Sequence, residues 1–472
     1  MAHDNDYGVY NNSLPAIERA IKERVFFVDY GEGFVRPHAA VDSNYHSNFS
    51  FSSKIRELAQ YTTPMSEIQF SLTFVGRRRV NYLLAAKSLE LRGVNRKDAH
   101  IKAFIKAEKY NFTKKPNPAP RIIQPRDVRY IVAIGRYIKP IEKKIFKAIN
   151  NVYGATTVFK GLNAEQRGGV MRQHWCEYKS PVAVGLDAKR FDQHVSKSAL
   201  EWEHSIYKMF YPGDKHFAKL LSWQVNNIGT ARCNGGRVDY NVEGCRMSGD
   251  SNTALGNCLI MCALVYQYTQ TLGIKISLAN DGDDCVVIME QAQLPNFQQG
   301  LRAFFVDHGF EMTVEDPVYI FEEIEFCQCH PVFDGNKYIM VRDPRVAVSK
   351  DTVAIKPLDN NKVLRRWCAA VGEGGLSLTA GLPIWQEYYS FYQRVGQGFK
   401  PLTDPSMETG MQRMSKGMHR TPSAISPQAR YSFWLAFKIT PACQVAIEDE
   451  YRLMSFASNS DTTRFRLLPF DN

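Results

Sequence analysis

Two short apolar runs, Ile274 to Ala279 and Cys285 to Met289, flank the segment Asn280-Asp281-Gly282-Asp283-Asp284. Runs of this length around an Asp-Gly step read as a β-hairpin. Its tip is unusual, because the adjacent aspartates repel and raise one another's pKa unless a cation neutralises them. Such a tip is a poor structural choice and a good Mg2+ ligand, since Mg2+ takes one or two carboxylates together with substrate phosphates. An exposed Asp-Gly turn is also common, so the hairpin alone leaves both readings open.

A second carboxylate set narrows them. Val182 to Asp187 reads as a buried strand ending in an acid, and Asp192 follows five positions later. With this strand beside the hairpin, Asp187 and Asp283 would hold two metal ions roughly 4 Å apart, the spacing that serves phosphoryl or nucleotidyl transfer. Taken alone, Asp187 reads more readily as the cap of the next helix. Ser196 to Phe210 is expected to be a helix begun by a serine cap. Gly244 to Asn252 is a loop of small residues leading into an apolar helix from Thr253 to about Leu272.

Charge is distributed unevenly along the 472 residues. The chain carries 59 Lys and Arg against 48 Asp and Glu, a net +11. From Lys102 to Lys147 there are thirteen bases and three acids; from Asp281 to Glu325 there are eleven acids and one base, Arg302. A polyanion-binding tract and a metal-binding tract together suit an enzyme of nucleotides or nucleic acid, although both read equally as solvated faces. Four prolines between Asn111 and Pro125 favour an extended arm that displays its arginines. A composition of 44% hydrophobic and 23% charged residues excludes a disordered or coiled-coil chain. No apolar run reaches eighteen residues, and Met1-Ala-His-Asp-Asn-Asp lacks the features of a secretory signal. The ten cysteines contain no CxxC pair, as in a reducing compartment. Cys327-x-Cys329-His330 has no second half to complete a zinc site and reads as strand.

Further elements follow from pattern. Leu14 to Arg24 and Gly76 to Leu91 read as helices, the second crowded at its start by Arg77, Arg78 and Arg79, which suit template backbone or water. The chain is strand-like from Phe326 to about Val348. Helices are expected from Asn361 to Val371, ending at Gly372-Glu373-Gly374-Gly375, and from Ile384 to Val395. Lys400 to Gln428 reads as a long surface loop.

The order Asp187-x4-Asp192, Ser248-Gly249-x3-Thr253-x3-Asn257, Gly282-Asp283-Asp284 resembles the palm of viral RNA-dependent RNA polymerases. The resemblance narrows to the tombusvirus-like and carmovirus-like plant polymerases of the Tombusviridae and umbra-like group. It is carried by Gly8-Val-Tyr-Asn-Asn-Ser13 with Glu23-Arg24-Val25-Phe26, by Pro120-Arg121-Ile-Ile-Gln-Pro125-Arg126, by Glu325-Phe-Cys-Gln-Cys-His-Pro331-Val332, and by Trp367 with Gly381-Leu-Pro383. It covers most of the chain and weakens after about Lys400.

That resemblance implies an α+β, right-hand polymerase fold of fingers, palm and thumb, with an antiparallel palm sheet backed by helices. Fingers would span 1–181, including a basic arm at 102–147 for incoming triphosphates, with an insertion at 198–243. The palm would span 182–197 and 244–340, and the thumb 341–472. Asp187, Asp283 and Asp284 would be catalytic ligands of two Mg2+ ions, with Mn2+ as a substitute. Asp192, Ser248 and Asn257 would read the ribose 2′-OH, with Thr253 supporting them or bonding its own backbone. Lys106, Lys109, Arg121 and Arg126 would grip the triphosphate, while Lys114 and Lys115 suit template backbone or water. Thr313 stands where relatives are expected to place a basic residue that protonates pyrophosphate, which leaves His308, Arg302 or water for that role. The implied partners are RNA template and nascent strand, ribonucleoside triphosphates, a viral membrane-anchoring replication protein and host factors. The implied location is the host cytoplasm, on membranes reached through those partners or an N-terminal extension. Competing readings are a reverse transcriptase, which typically has an aromatic ring at the position of Asp192, and a non-catalytic basic RNA-binding protein.

Overall fold

The computed structural model describes residues 7–456 except 30, 32, 41–48, 60–61, 114, 356–357 and 404–413. Lys114 and part of the Lys400 to Gln428 loop therefore lie outside the described residues. The rest is a mixed α and β structure built from small, mainly antiparallel sheets and many helices.

The sheet that positions the candidate site has four antiparallel strands. Pro181–Ala188 is internal, pairing on one side with Asp284–Glu290, which pairs in turn with Ser277–Asp281, and on the other side with Met312–Val314. Successive side chains alternate between two cores. Val182, Val184, Leu186 and Ala188 join the core containing helices Val128–Tyr153, Lys197–Lys208 and Thr253–Leu272. Ala183, Ala279, Val286 and Ile288 face a second core with helices Ala164–Cys176, Asn361–Thr379 and Trp385–Val395. Burial on both faces explains why these strands read as continuous apolar runs rather than alternating ones. Thr253–Leu272 is likewise buried around most of its circumference, as an evenly apolar helix must be.

A second sheet orders Ile122–Ile123, Ile101–Ile105, Asn226–Cys233 and Gly236–Glu243. Its one parallel pairing, Ile101 to Ala103 against Gly229 to Ala231, returns the chain after the Asp187 strand to the N-terminal segments.

Three expectations about elements are corrected. The helix from Asn361 does not stop at its glycines but continues to Thr379. A Cβ at Gly375 would lie 2.1 Å from the Tyr389 ring, and one at Gly372 would lie 2.6 Å from the Gln393 nitrogen. These glycines permit close helix packing instead of ending the helix. The stretch from Phe326 to Val348 is a hairpin, Cys329–Phe333 with Tyr338–Arg342, followed by the helix Pro344–Asp351. Asp343 caps that helix through the Arg345 N–H at 2.8 Å, and Pro344 suits its first turn. Much of the basic tract is helical too. Asp127 caps Val128–Tyr153, and the part before it contributes the strands Ile101–Ile105 and Ile122–Ile123 to the second sheet.

Candidate active site

The hairpin forms with a shorter turn than its apolar runs suggest, because pairing extends to Asp281 and Asp284. Gly282, at φ +94°, takes the left-handed conformation this tight turn needs. Asp284 lies directly across from Asp187, whose other neighbour in register is Thr313. Burial, and then Asp192 and Asp284, push the Asp283 carboxyl up to about 6. Burial and the charge of Asp187 also raise Asp284. Asp281 behaves differently. Burial opposes its ionisation, but Lys160 and Arg167 outweigh it by pairing with the two carboxylate oxygens, so its carboxyl is held below the usual range. Lys160 also donates to the Asp281 carbonyl at 3.1 Å.

The three candidate ligands are all hard oxygen donors, and two are destabilised in their charged form by burial and like charge. A divalent cation relieves that condition, so the residues fit Mg2+. They are neighbours rather than a closed cage: among the described residues no three His, Cys, Asp or Glu side chains are gathered in a metal-holding group.

Asp192, Ser248 and Asn257 come together around one carboxylate. Ser248 Oγ donates to Asp192 Oδ2, and Asn257 Nδ2 donates to Asp192 Oδ1 at 3.0 Å. Thr253 Oγ1 donates to the Met247 and Asp250 carbonyls at 3.1 and 3.0 Å, bracing the loop that carries Ser248.

The four basic residues expected at the triphosphate separate. Lys106 and Arg121 meet at Glu108, at 2.8 and 3.4 Å, and Arg121 stays more than half exposed. Arg126 is fully buried. Its Nε and Nη2 hold Asp250 at 2.6 and 3.0 Å, and its remaining N–H groups reach Ala99 O, Trp223 O and Asn227 Oδ1. All five guanidinium donors are spent, so no donor remains for a phosphate. Lys109 Nζ donates to the Lys350 carbonyl at 2.7 Å, at the end of helix Pro344–Asp351, rather than joining Lys106.

A profile of the family described as viral RNA dependent RNA polymerase matches residues 1–459. The chain belongs to this family. It is 45% identical over 448 residues to the RNA-directed RNA polymerase of Tobacco necrosis virus (strain A), covering 94% of this chain and 62% of that protein. It is 43% identical over 449 residues to the polymerase of Melon necrotic spot virus, covering 94% and 57%, respectively. The Turnip crinkle virus polymerase is 40% identical over 472 residues, with 99% and 60% coverage. The chain thus spans about three fifths of the length of these relatives. The resemblance to tombusvirus and carmovirus polymerases is borne out.

Several residues at this site were not legible in sequence. Lys160 and Arg167 come from a segment that joins the hairpin edge through Phe159 N–H to Asn280 O at 2.8 Å. Neither the charge count nor the spacing distinguishes Asp281, held in ion pairs, from Asp283 and Asp284. His308, considered for proton transfer, is buried against Phe304, with Nδ1 at 2.7 Å from that residue's carbonyl, and burial lowers its pKa. Lys189, two residues past Asp187, donates its N–H to Glu311 O at 2.9 Å and places Nζ 3.6 Å from the Glu311 carboxylate.

Proposed function

We propose that this chain carries the catalytic portion of an RNA-directed RNA polymerase that copies a positive-strand viral RNA genome without a primer. The nascent 3′-oxygen forms a bond to the α-phosphorus of a ribonucleoside triphosphate while the bond to the β-phosphate oxygen breaks. The 3′-hydroxyl proton passes to solvent water, and pyrophosphate leaves. The observation that carries this reading is the pairing of Asp187 with Asp284 beside the hydrogen-bonded set Asp192, Ser248 and Asn257.

Asp187, Asp283 and Asp284 would hold two Mg2+ ions, with Mn2+ able to replace them. When bound, the ions neutralise charge on the attacking and leaving oxygens. The Asp192 set meets the ribose, where leaving its polar groups unpaired over a deoxyribose is costly. Arg121 and Lys106 leave Glu108 for the triphosphate, which suits a planar guanidinium that binds phosphate oxygens in pairs.

The division into fingers at 1–181 and 198–243, palm at 182–197 and 244–340, and thumb from 341 completes the reading as a right hand. Template RNA, nascent strand and ribonucleotides are its partners. In the host cytoplasm, a viral replication protein, host factors or an N-terminal extension would attach it to membranes. No helix among the described residues is long and apolar enough to cross one.

Incorporation of labelled ribonucleotides on an RNA template with Mg2+ tests the assignment. Asp283→Ala is expected to abolish incorporation while RNA binding persists; full incorporation by that variant refutes it. A reverse transcriptase would instead prefer deoxyribonucleotides.

A further inference from the structure

We propose that the buried pair Arg246 and Glu203 fixes which way the Asn257 amide faces, and thereby sets how strongly the site prefers ribose over deoxyribose. The inference rests on reading Asp192, Ser248 and Asn257 as the ribose-recognition group, and makes Arg246 and Glu203 positioning residues for it.

An asparagine amide has nearly the same shape in either orientation, so its partners decide which end is oxygen. Arg246 has only donors. Its Nε lies 3.0 Å from the Asn257 oxygen and is satisfied only with the oxygen on that side. The NH2 group is then turned to Asp192 Oδ1 at 3.0 Å, where a carboxylate demands a donor. The reversed amide would set a carbonyl against the carboxylate and an NH2 against a guanidinium. Arg246 also donates its backbone N–H to the Asp192 carbonyl at 2.7 Å, so one residue ties both ends of the Asp192–Asn257 contact.

Arg246 is itself held rigidly. Its Nη1 donates to Glu203 Oε1 at 3.1 Å and its Nη2 pairs with Oε2. Glu203 Oε1 accepts a further bond from Asn252 Nδ2 at 2.9 Å, and Asn252 Oδ1 accepts from Gln224 Nε2 at 2.9 Å. Glu203 and Asn252 are 0% exposed and Arg246 is 2% exposed. Burial opposes ionisation of Glu203, and Arg246 reverses that, so the pair is charged.

Two observations set this pair apart from a generic ion pair. Desolvating two charges costs about as much as their attraction returns, so stability alone does not account for a buried Arg–Glu contact where apolar residues would pack. The residue before Asn257 also leaves room for it. A Cβ at Gly256 would lie 2.3 Å from Arg246 Nη2 and 2.5 Å from Glu203 Oε2, so any larger residue there would displace the pair.

The test compares kcat/KM for ATP and dATP on one RNA template in the wild type, Arg246→Lys, Glu203→Gln and Asn257→Ala, with a thermal melt of each. Arg246→Lys keeps a charge opposite Glu203 but loses the Nε–H that holds the Asn257 oxygen. It is expected to lower the ATP/dATP ratio about tenfold, mainly through a higher KM for ATP, the scale of one lost buried hydrogen bond. Asn257→Ala should lower it by a similar factor, and Arg246→Lys combined with Asn257→Ala no further, because both remove the same interaction. Glu203→Gln, which keeps the anchor's shape but removes the charge opposite Arg246, should lower the ratio about threefold on the same scale and supplies a second readout should Arg246→Lys fail to fold. A reduced ratio in Asn257→Ala with an unchanged ratio in Arg246→Lys and Glu203→Gln overturns the inference and leaves the ribose reading standing. Equal losses on ATP and dATP in the pair's variants overturn it too, marking the pair as merely structural. An unchanged ratio in Asn257→Ala overturns both the ribose reading and the inference.

Discussion

Asp187 faces Asp284 directly across two antiparallel strands. Residues in such register point to the same face of a sheet, and like charges placed there destabilise it by up to about 1 kcal/mol. Asp284→Asn is therefore expected to make the metal-free protein more stable by about 0.5 kcal/mol. It should also reduce the stabilisation that added Mg2+ confers on the wild type, since a ligand that binds only the folded state raises its stability. Denaturant titrations in EDTA and in Mg2+ check both halves; a variant weaker than wild type in EDTA contradicts the electrostatic account.

Arg121 and Arg126 stand five positions apart and predict opposite phenotypes. Arg121→Ala should raise KM for every nucleotide about tenfold and change unfolding by less than about 0.5 kcal/mol, as for an exposed side chain. Arg126→Ala strips the partner from buried Asp250 and should cost about 3–5 kcal/mol. Thermal melts alongside nucleotide titrations separate them.

Lys109 carries a pH dependence. Burial pulls its ammonium from the usual lysine value down to about 8, against the favourable charge of Asp351 and with Lys350 and Arg342 adding to the fall. A lysine whose pKa is depressed on folding binds its proton less tightly in the folded chain than in the unfolded one. Raising the pH from about 8 towards the unfolded value near 10.5 therefore favours folding through this group. Lys109→Met should abolish that part of the slope in a stability profile from pH 7.5 to 10, whereas a slope identical to wild type would show that Lys109 is not its source.

Gly375 packs its backbone against Tyr389 with no space for a methyl group. Gly375→Ala should cost about 1–3 kcal/mol as an overpacked contact, despite alanine's higher helix propensity. Gly169→Ala, in helix Ala164–Cys176 where a Cβ would meet nothing within 4 Å, is the internal control, and equal effects from both would refute the packing argument.

That glycine run shows where sequence reading stops. A glycine that ends a helix and one that lets two helices approach look alike until the partner helix is in place. The helix from Thr253 to Leu272 was legible end to end because its composition suits only a fully buried helix. The hairpin and the Asp187 strand were also legible, since apolar runs and turn chemistry are local properties. Their mutual register was not, because it depends on strands nearly a hundred residues apart. Arg126 lies on the legible arm, yet its burial depends on Asp250 and Asn227, which pattern does not bring near. Asp281 was indistinguishable from its neighbours until Lys160 and Arg167 arrived from another segment.

Whether these carboxylates serve templated RNA synthesis is read from the products, resolved on a gel, of an unprimed RNA template with all four ribonucleotides and Mg2+. The wild type should make a complementary strand of template length, Asp283→Ala none, and the wild type none when deoxyribonucleotides replace ribonucleotides. Template-length product from Asp283→Ala, or equal product from deoxyribonucleotides, would contradict that role.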